Sequence, residues 1–176
     1  ARSGLVEAQL RIGRMRLSGD GVAKDEAEAL SWFIRAAETG NAEAHNMIGR
    51  CFENGWGTGP DAERAATHYA VAARAGDAWA QYNLGHLFLD GIGVPRDRDE
   101  AFRWYGRAAE QGHVRAMNLV ARCAEEGWGC AKDHNLAREW YRRSAEGGYF
   151  RGAYNYATIL LSEGCTVGAA VWFRRA

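Results

Sequence analysis

Residues 80–112 read AQYNLGHLFLDGIGVPRDRDEAFRWYGRAAEQG, and this stretch decides the fold. In its second half Ala101, Trp104, Tyr105, Ala108 and Ala109 fall at helical intervals, so one face carries small and aromatic residues together. Asp97 precedes that run where a carboxylate can accept free backbone N–H groups, and Glu100 three residues later completes the spacing of a capping box. Gly112 closes it where a left-handed helix terminus is needed. Between the two halves lies Gly91-Ile92-Gly93, whose glycines supply flexible backbone for a turn.

The same stretch recurs on both sides with a period of 36 residues. Ala8, Ala44, Ala80 and Ala116 keep step, as do Gly19, Gly55, Gly91 and Gly127, then Gly21, Gly57, Gly93 and Gly129. Asp25, Asp61, Asp97 and Asp133 follow, and Trp32, His68, Trp104 and Trp140 precede Phe33, Tyr69, Tyr105 and Tyr141. Each copy closes on Gly40, Gly76, Gly112 or Gly148. The first half of each copy is a second helix. In the copy around residues 43–54, Ala44, Met47, Ile48, Cys51 and Phe52 mark one of its faces. Two helices repeated at this interval cannot bury their apolar faces alone and must stack, which predicts an all-α solenoid of helical hairpins.

The period divides residues 1–176 into one array: a tail of a preceding copy at 1–4, then copies at 8–43, 44–79, 80–115, 116–151 and 152–176. The fifth is four residues short around Gly164 to Gly168 and stops within its second helix. Neither end carries a polar capping unit, so a parent protein longer at both ends is expected.

The order A-x-x-x-L-G-x-x-F-x-x-G-x-G-V, then D, then A-x-x-W-Y-x-x-A-A-x-x-G resembles the Sel1-like repeat, a relative of the tetratricopeptide repeat. The third copy carries it on Ala80, Leu84, Gly85, Phe88, Gly91, Gly93, Val94, Asp97, Ala101, Trp104, Tyr105, Ala108, Ala109 and Gly112. The departures are Ala121 for the helix glycine, His68 for tryptophan and the shortened fifth turn. The resemblance implies a right-handed α-α superhelix and a role as an adaptor or scaffold in protein assemblies. Bacterial members of that family act in the periplasm, at the cell surface or in signalling, which leaves the compartment open between cell envelope and cytoplasm. Some cysteine-rich relatives carry a regularly spaced cysteine pair in each unit, and this sequence does not.

Composition narrows the partners. Twenty-two basic residues balance 22 acidic ones, so the chain lacks the net positive charge that nucleic acid or an anionic membrane attracts. No apolar run reaches the roughly 20 residues a membrane span takes, so no membrane insertion is expected. Cys51 and Cys123 share a column occupied elsewhere by Met15, Leu87 and Ile159, which reads as a buried small hydrophobe. Cys130 and Cys165 fall in turns of adjacent copies, either as a disulfide or as two free thiols. His45, His68, His86, His113 and His134 are dispersed, with no H-E-x-x-H, so no metal site is expected. No nucleophile elbow, S-x-x-K or phosphate loop is present, and the G-x-G turns are periodic connectors. No catalytic residue and no cofactor are therefore assigned.

A partner is expected on the concave groove that first helices line in such solenoids, on residues opposite the buried columns. One row holds Leu10, Asn46, Tyr82, Asn118 and Tyr154, and the next Arg14, Arg50, His86, Arg122 and Thr158, with Trp79 flanking. The asparagines and tyrosines suit an extended peptide backbone. The arginines suit acidic groups, and Trp79, Tyr82 and His86 form an aromatic centre of the kind binding hot spots favour. The candidate residues are thus Asn46, Arg50, Trp79, Tyr82, His86, Asn118, Arg122 and Tyr154. Against this stands packing of the same aromatics on neighbouring helices. Trp56 and Trp128, between turn glycines, are expected to tuck against the next turn. Function reads as non-catalytic protein or peptide binding; a regulatory or targeting segment of a larger enzyme or signalling protein is the alternative.

Overall fold

The computed structural model describes residues 2–176, and among these every element is a helix. They run α1 (Arg2–Ser18), α2 (Glu26–Ala37), α3 (Ala42–Asn54), α4 (Ala62–Arg74), α5 (Ala78–Asp90), α6 (Arg98–Glu110), α7 (Val114–Glu126), α8 (His134–Glu146), α9 (Phe150–Ser162) and α10 (Thr166–Phe173). They fall into two units, one holding α1–α5 up to Arg96 and the other α6–α10 from Asp97. Of the 1–4 segment read as a preceding tail, Ala1 lies outside the described residues. Residues 2–4 form the first turn of α1, which runs through Gly4 rather than starting after it.

The periodic aspartates do what their spacing predicts. Asp25, Asp61, Asp97 and Asp133 have extended backbone, and each side chain accepts from the N–H three residues on, at 2.8–3.0 Å. The reciprocal half of the capping box is absent. The Asp25 N–H donates instead to the Arg16 carbonyl at 2.8 Å, and the Asp61 and Asp133 N–H groups to Phe52 and Ala124. Glu28 is left to pair with Arg16, and Glu100 with Arg103. Cap and hairpin turn are thus tied by one backbone bond from the second helix to the end of the first. The first helices have caps of their own: Asn41, Asp77 and the His113 ring accept from Ala44, Ala80 and Ala116.

The two glycines of each G-x-G turn have different jobs. Gly55, Gly91 and Gly127 stop α3, α5 and α7 in the left-handed region at φ 74°. Gly57, Gly93 and Gly129 also have positive φ, and there a Cβ would collide with the first turn of the preceding hairpin's second helix. The atoms in the way are backbone: Glu26 and Ala27 for Gly57, Ala62 and Glu63 for Gly93, Arg98 and Asp99 for Gly129. The second glycine therefore lets consecutive hairpins touch, which goes beyond the flexible-turn role expected of it. Within hairpins, a Cβ on Gly49 would stand 2.6 Å from the Tyr69 ring.

The core of the first unit alternates small and large residues. Ala29, Phe33, Ala44, Ile48, Cys51, Phe52, Ala65, Tyr69, Leu84 and Leu87 are buried. In the second unit Ala121, Ala124, Ala137, Tyr141, Ala153, Tyr156 and Leu160 form one cluster, with Trp140, Ile159 and Trp172 against it. Cys51 and Cys123 are buried, Cys130 half-buried and Cys165 exposed, and all four thiols are unpaired. Of the two alternatives for Cys130 and Cys165, the structure holds free thiols. No described helix is long and apolar enough to cross a membrane.

Candidate functional site

The first helices of the two units place the candidate residues differently from one another. On α5, Trp79 is about half exposed, at 51 %. Its ring meets Tyr82 edge-on at 6.3 Å, and Tyr82 meets His86 edge-on at 4.6 Å. Steps of three and four bring the three rings onto one helix face. Burial holds the His86 imidazole below its usual pKa, against the opposing pull of Asp90 and Glu53. On α9, Tyr154 is exposed and meets the Phe173 ring edge-on at 5.5 Å.

Asn46 and Asn118 are not on an outward face. Both are buried, at 6 % and 7 % exposure, and each carbonyl accepts from an amide in the next copy. Asn83 donates to Asn46 at 3.1 Å and Asn155 to Asn118 at 2.9 Å. The reason is geometric: their column sits where a first helix meets the following first helix, and a buried amide must find a partner there. Leu10, in the same column, is buried too. These two asparagines stitch copies together and are withdrawn from the binding face.

The arginine row divides. Arg14 is held by Glu43 of α3 and by Glu7 of its own helix. Among the described residues Arg50 and Arg122 make no ion pair; each lies on a tryptophan of its own hairpin turn. Arg50 sits 5.2 Å from the centre of Trp56 and Arg122 4.9 Å from that of Trp128, which Arg98 also approaches at 5.4 Å. Trp56 and Trp128 are half-buried and serve as beds for guanidinium groups, a contact the turn position alone did not disclose. One turn beyond each arginine, Glu53 and Glu125 accept from the Tyr69 and Tyr141 hydroxyls at 2.6 and 2.8 Å. Burial, then these carboxylates, push both phenols above the usual tyrosine range.

The histidines are not all dispersed. His45 on α3 and His68 on α4 meet at an Nδ1···Nδ1 distance of 3.1 Å. Their ring centres are 5.4 Å apart and the planes 28° from parallel, so the nitrogens lie between the rings and the contact is end-on. A signal was there to find: one copy has histidine both where Gln9 and Gln81 stand and where Trp32 and Trp104 stand. Among the described residues no three His, Cys, Asp or Glu side chains converge as metal ligands.

The Sel1 repeat family model matches residues 6–41, 42–77, 80–113 and 114–149. A Sel1 repeat protein from Oxalobacter formigenes is similar at 31 % identity and a TM-score of 0.89, over 97 % of this chain and 69 % of that one. A protective antigen of uropathogenic Escherichia coli strains is similar at 29 % identity and a TM-score of 0.87, over 98 % of this chain. This chain spans only 38 % of that antigen's length. Helicobacter pylori cysteine rich protein B shares the fold alone, at 15 % identity and a TM-score of 0.57 over 71 % of this chain and 90 % of that one. No curated protein sequence matches significantly. With four consecutive matches and all-helical hairpins at the same period, the chain belongs to the Sel1 repeat family and has its solenoid fold, which generally serves as a scaffold for protein interactions and is typically non-enzymatic.

Proposed function

We propose that this chain is a non-catalytic binding segment that holds a peptide or protein on the outward faces of its first helices. The observation that carries the reading is α5, where a half-exposed Trp79 stands in edge contact with Tyr82 on the same face as His86. Large exposed aromatics of this kind are enriched at interaction surfaces, because they bring much contact area at low cost in conformational entropy. In the first unit Arg50 accompanies them, and in the second Arg122 and the exposed Tyr154 provide the corresponding chemistry. A guanidinium already seated on an indole loses little freedom when a carboxylate docks on its edge. Acidic side chains or a chain terminus on the partner therefore suit Arg50 and Arg122. A zero net charge supports a protein partner over nucleic acid.

The test is capture of partners from lysate of the source organism by the wild-type chain and by Tyr82→Ala and Arg122→Glu. Loss of the same partner from both variants, with circular dichroism unchanged, supports the reading. Undiminished capture by both removes it.

A further inference from the structure

The second copy departs from the others at a place unrelated to the proposed binding face. In four copies a tryptophan of the second helix is followed three residues later by an arginine, and the guanidinium lies over the indole. Those pairs are Trp32–Arg35 at 4.8 Å, Trp104–Arg107 at 4.4 Å, Trp140–Arg143 at 4.9 Å and Trp172–Arg175 at 4.9 Å. The second copy has His68 and Val71 instead. His68 turns inward across the hairpin, with its ring against Phe52 at 5.7 Å and its Nδ1 3.1 Å from Nδ1 of His45. The one hydrophobic and cationic clasp missing from the series is thus replaced by a polar link between α3 and α4.

Two nitrogens at that distance and in that orientation require one proton between them: one ring donates Nδ1–H and the other accepts on a bare Nδ1. A first added proton enters the donor ring at Nε2, leaving the bridge in place and strengthening it. A second can enter only at the accepting Nδ1, which ends the bridge and sets two cations against each other. We propose that the α3–α4 hairpin is an acid-sensitive element, closed by a single bridging proton between His45 and His68 and loosened when both rings are protonated.

The surroundings offer no relief. Arg64, on α4, lies over the Phe52 ring at 3.9 Å and adds positive charge. The charges of His45 and Arg64 both bear on His68, and both disfavour its protonation. Burial is the largest influence on both rings and holds each below its ordinary pKa; for His68 the His45 and Arg64 charges add to it. The sign follows. The unfolded chain takes up protons near the ordinary histidine pKa while the folded pair resists the second, so stability is fully present above that pH and is lost as pH falls below it. Each proton bound in excess by the unfolded state shifts the unfolding equilibrium about tenfold per pH unit.

Two measurements on the full 176-residue chain decide it. Long-range ¹H–¹⁵N spectra of the histidine rings should show one of the pair as the Nδ1–H tautomer at pH 8, and two separated protonation steps on lowering the pH. In His45→Gln, which puts in the residue of the first and third copies, His68 should titrate in one step. Denaturant unfolding between pH 7 and 5 should show His45→Gln and His68→Trp losing up to about tenfold per pH unit less than wild type, a difference that cancels the other histidines. Both rings as Nε2–H tautomers titrating together, or equal pH slopes in wild type and both variants, would overturn the proposal. If His68→Trp does not fold, His45→Gln alone decides it.

Discussion

Gly57→Ala should be far more damaging than Gly40→Ala, although both glycines have nearly the same backbone conformation, at φ +70° and +77°. Any side chain at such a φ costs about 1 kcal/mol in local strain. At Gly40 that is the whole effect, because a Cβ would meet nothing within 4 Å. At Gly57 the Cβ would stand inside contact distance of the Glu26 carbonyl and the Ala27 backbone, which cannot swing aside as a flexible side chain would. Relieving that overlap means backing one hairpin off another, which overpacking experience puts at about 2 kcal/mol more. For a chain of this size, 1 kcal/mol moves Tm by about 3 °C. Gly40→Ala should therefore lower Tm by about 3 °C and Gly57→Ala by about 9 °C, read by circular dichroism at 222 nm. A fall in the denaturant m-value of Gly57→Ala alone would show the first hairpin uncoupling from the rest. Equal losses in the two variants would refute the claim that the second turn glycine exists for contact between copies.

Other outcomes follow from the same geometry. Asn155→Ala leaves the buried Asn118 carbonyl without its donor and should cost about 1–3 kcal/mol, whereas Thr158→Ala on the exposed side of the same helix should stay within about 0.5 kcal/mol by urea unfolding. Cys165 is exposed and Cys51 and Cys123 are buried, with burial pushing those thiols up to about 11 and about 12, so native labelling should modify Cys165 first and spare those two until unfolding. Spectrophotometric titration in alkali should find at least two of the seven tyrosines, Tyr69 and Tyr141, protonated until the chain unfolds. Their raised pKa means the folded state holds protons that the unfolded state releases above about pH 10, so stability falls as pH rises past that point.

The fold was legible because repetition samples the same decision several times. Each periodic aspartate, glycine and aromatic votes for one hairpin, and copies that depart from the pattern still inherit its geometry. What single columns could not disclose was where the next copy would land. Asn46 looked outward when α3 was taken alone, yet the following first helix brings the Asn83 amide onto its carbonyl, and Asn46 is buried there. Glu28 stands three residues after Asp25, at the spacing that Glu100 has after Asp97, but the Asp25 N–H is already committed to the Arg16 carbonyl of the preceding helix. Arg50 and Arg122 were read as contacts for a partner's acidic groups, while their indole beds depend on how the turn folds back and no column shows them. His45 and His68 are 23 residues apart and met only once the hairpin closed. In each case local periodicity gave the face, and contact with another helix decided what the face was for.

Hydrogen exchange on the full chain, alone and with a partner recovered by wild type but not by Tyr82→Ala, tests the functional claim most directly. Protection should concentrate in peptides from α3, α5, α7 and α9, strongest around Trp79 to His86, and leave α4, α6 and α8 unchanged. Protection confined to those second helices, or to the G-x-G turns, would contradict it.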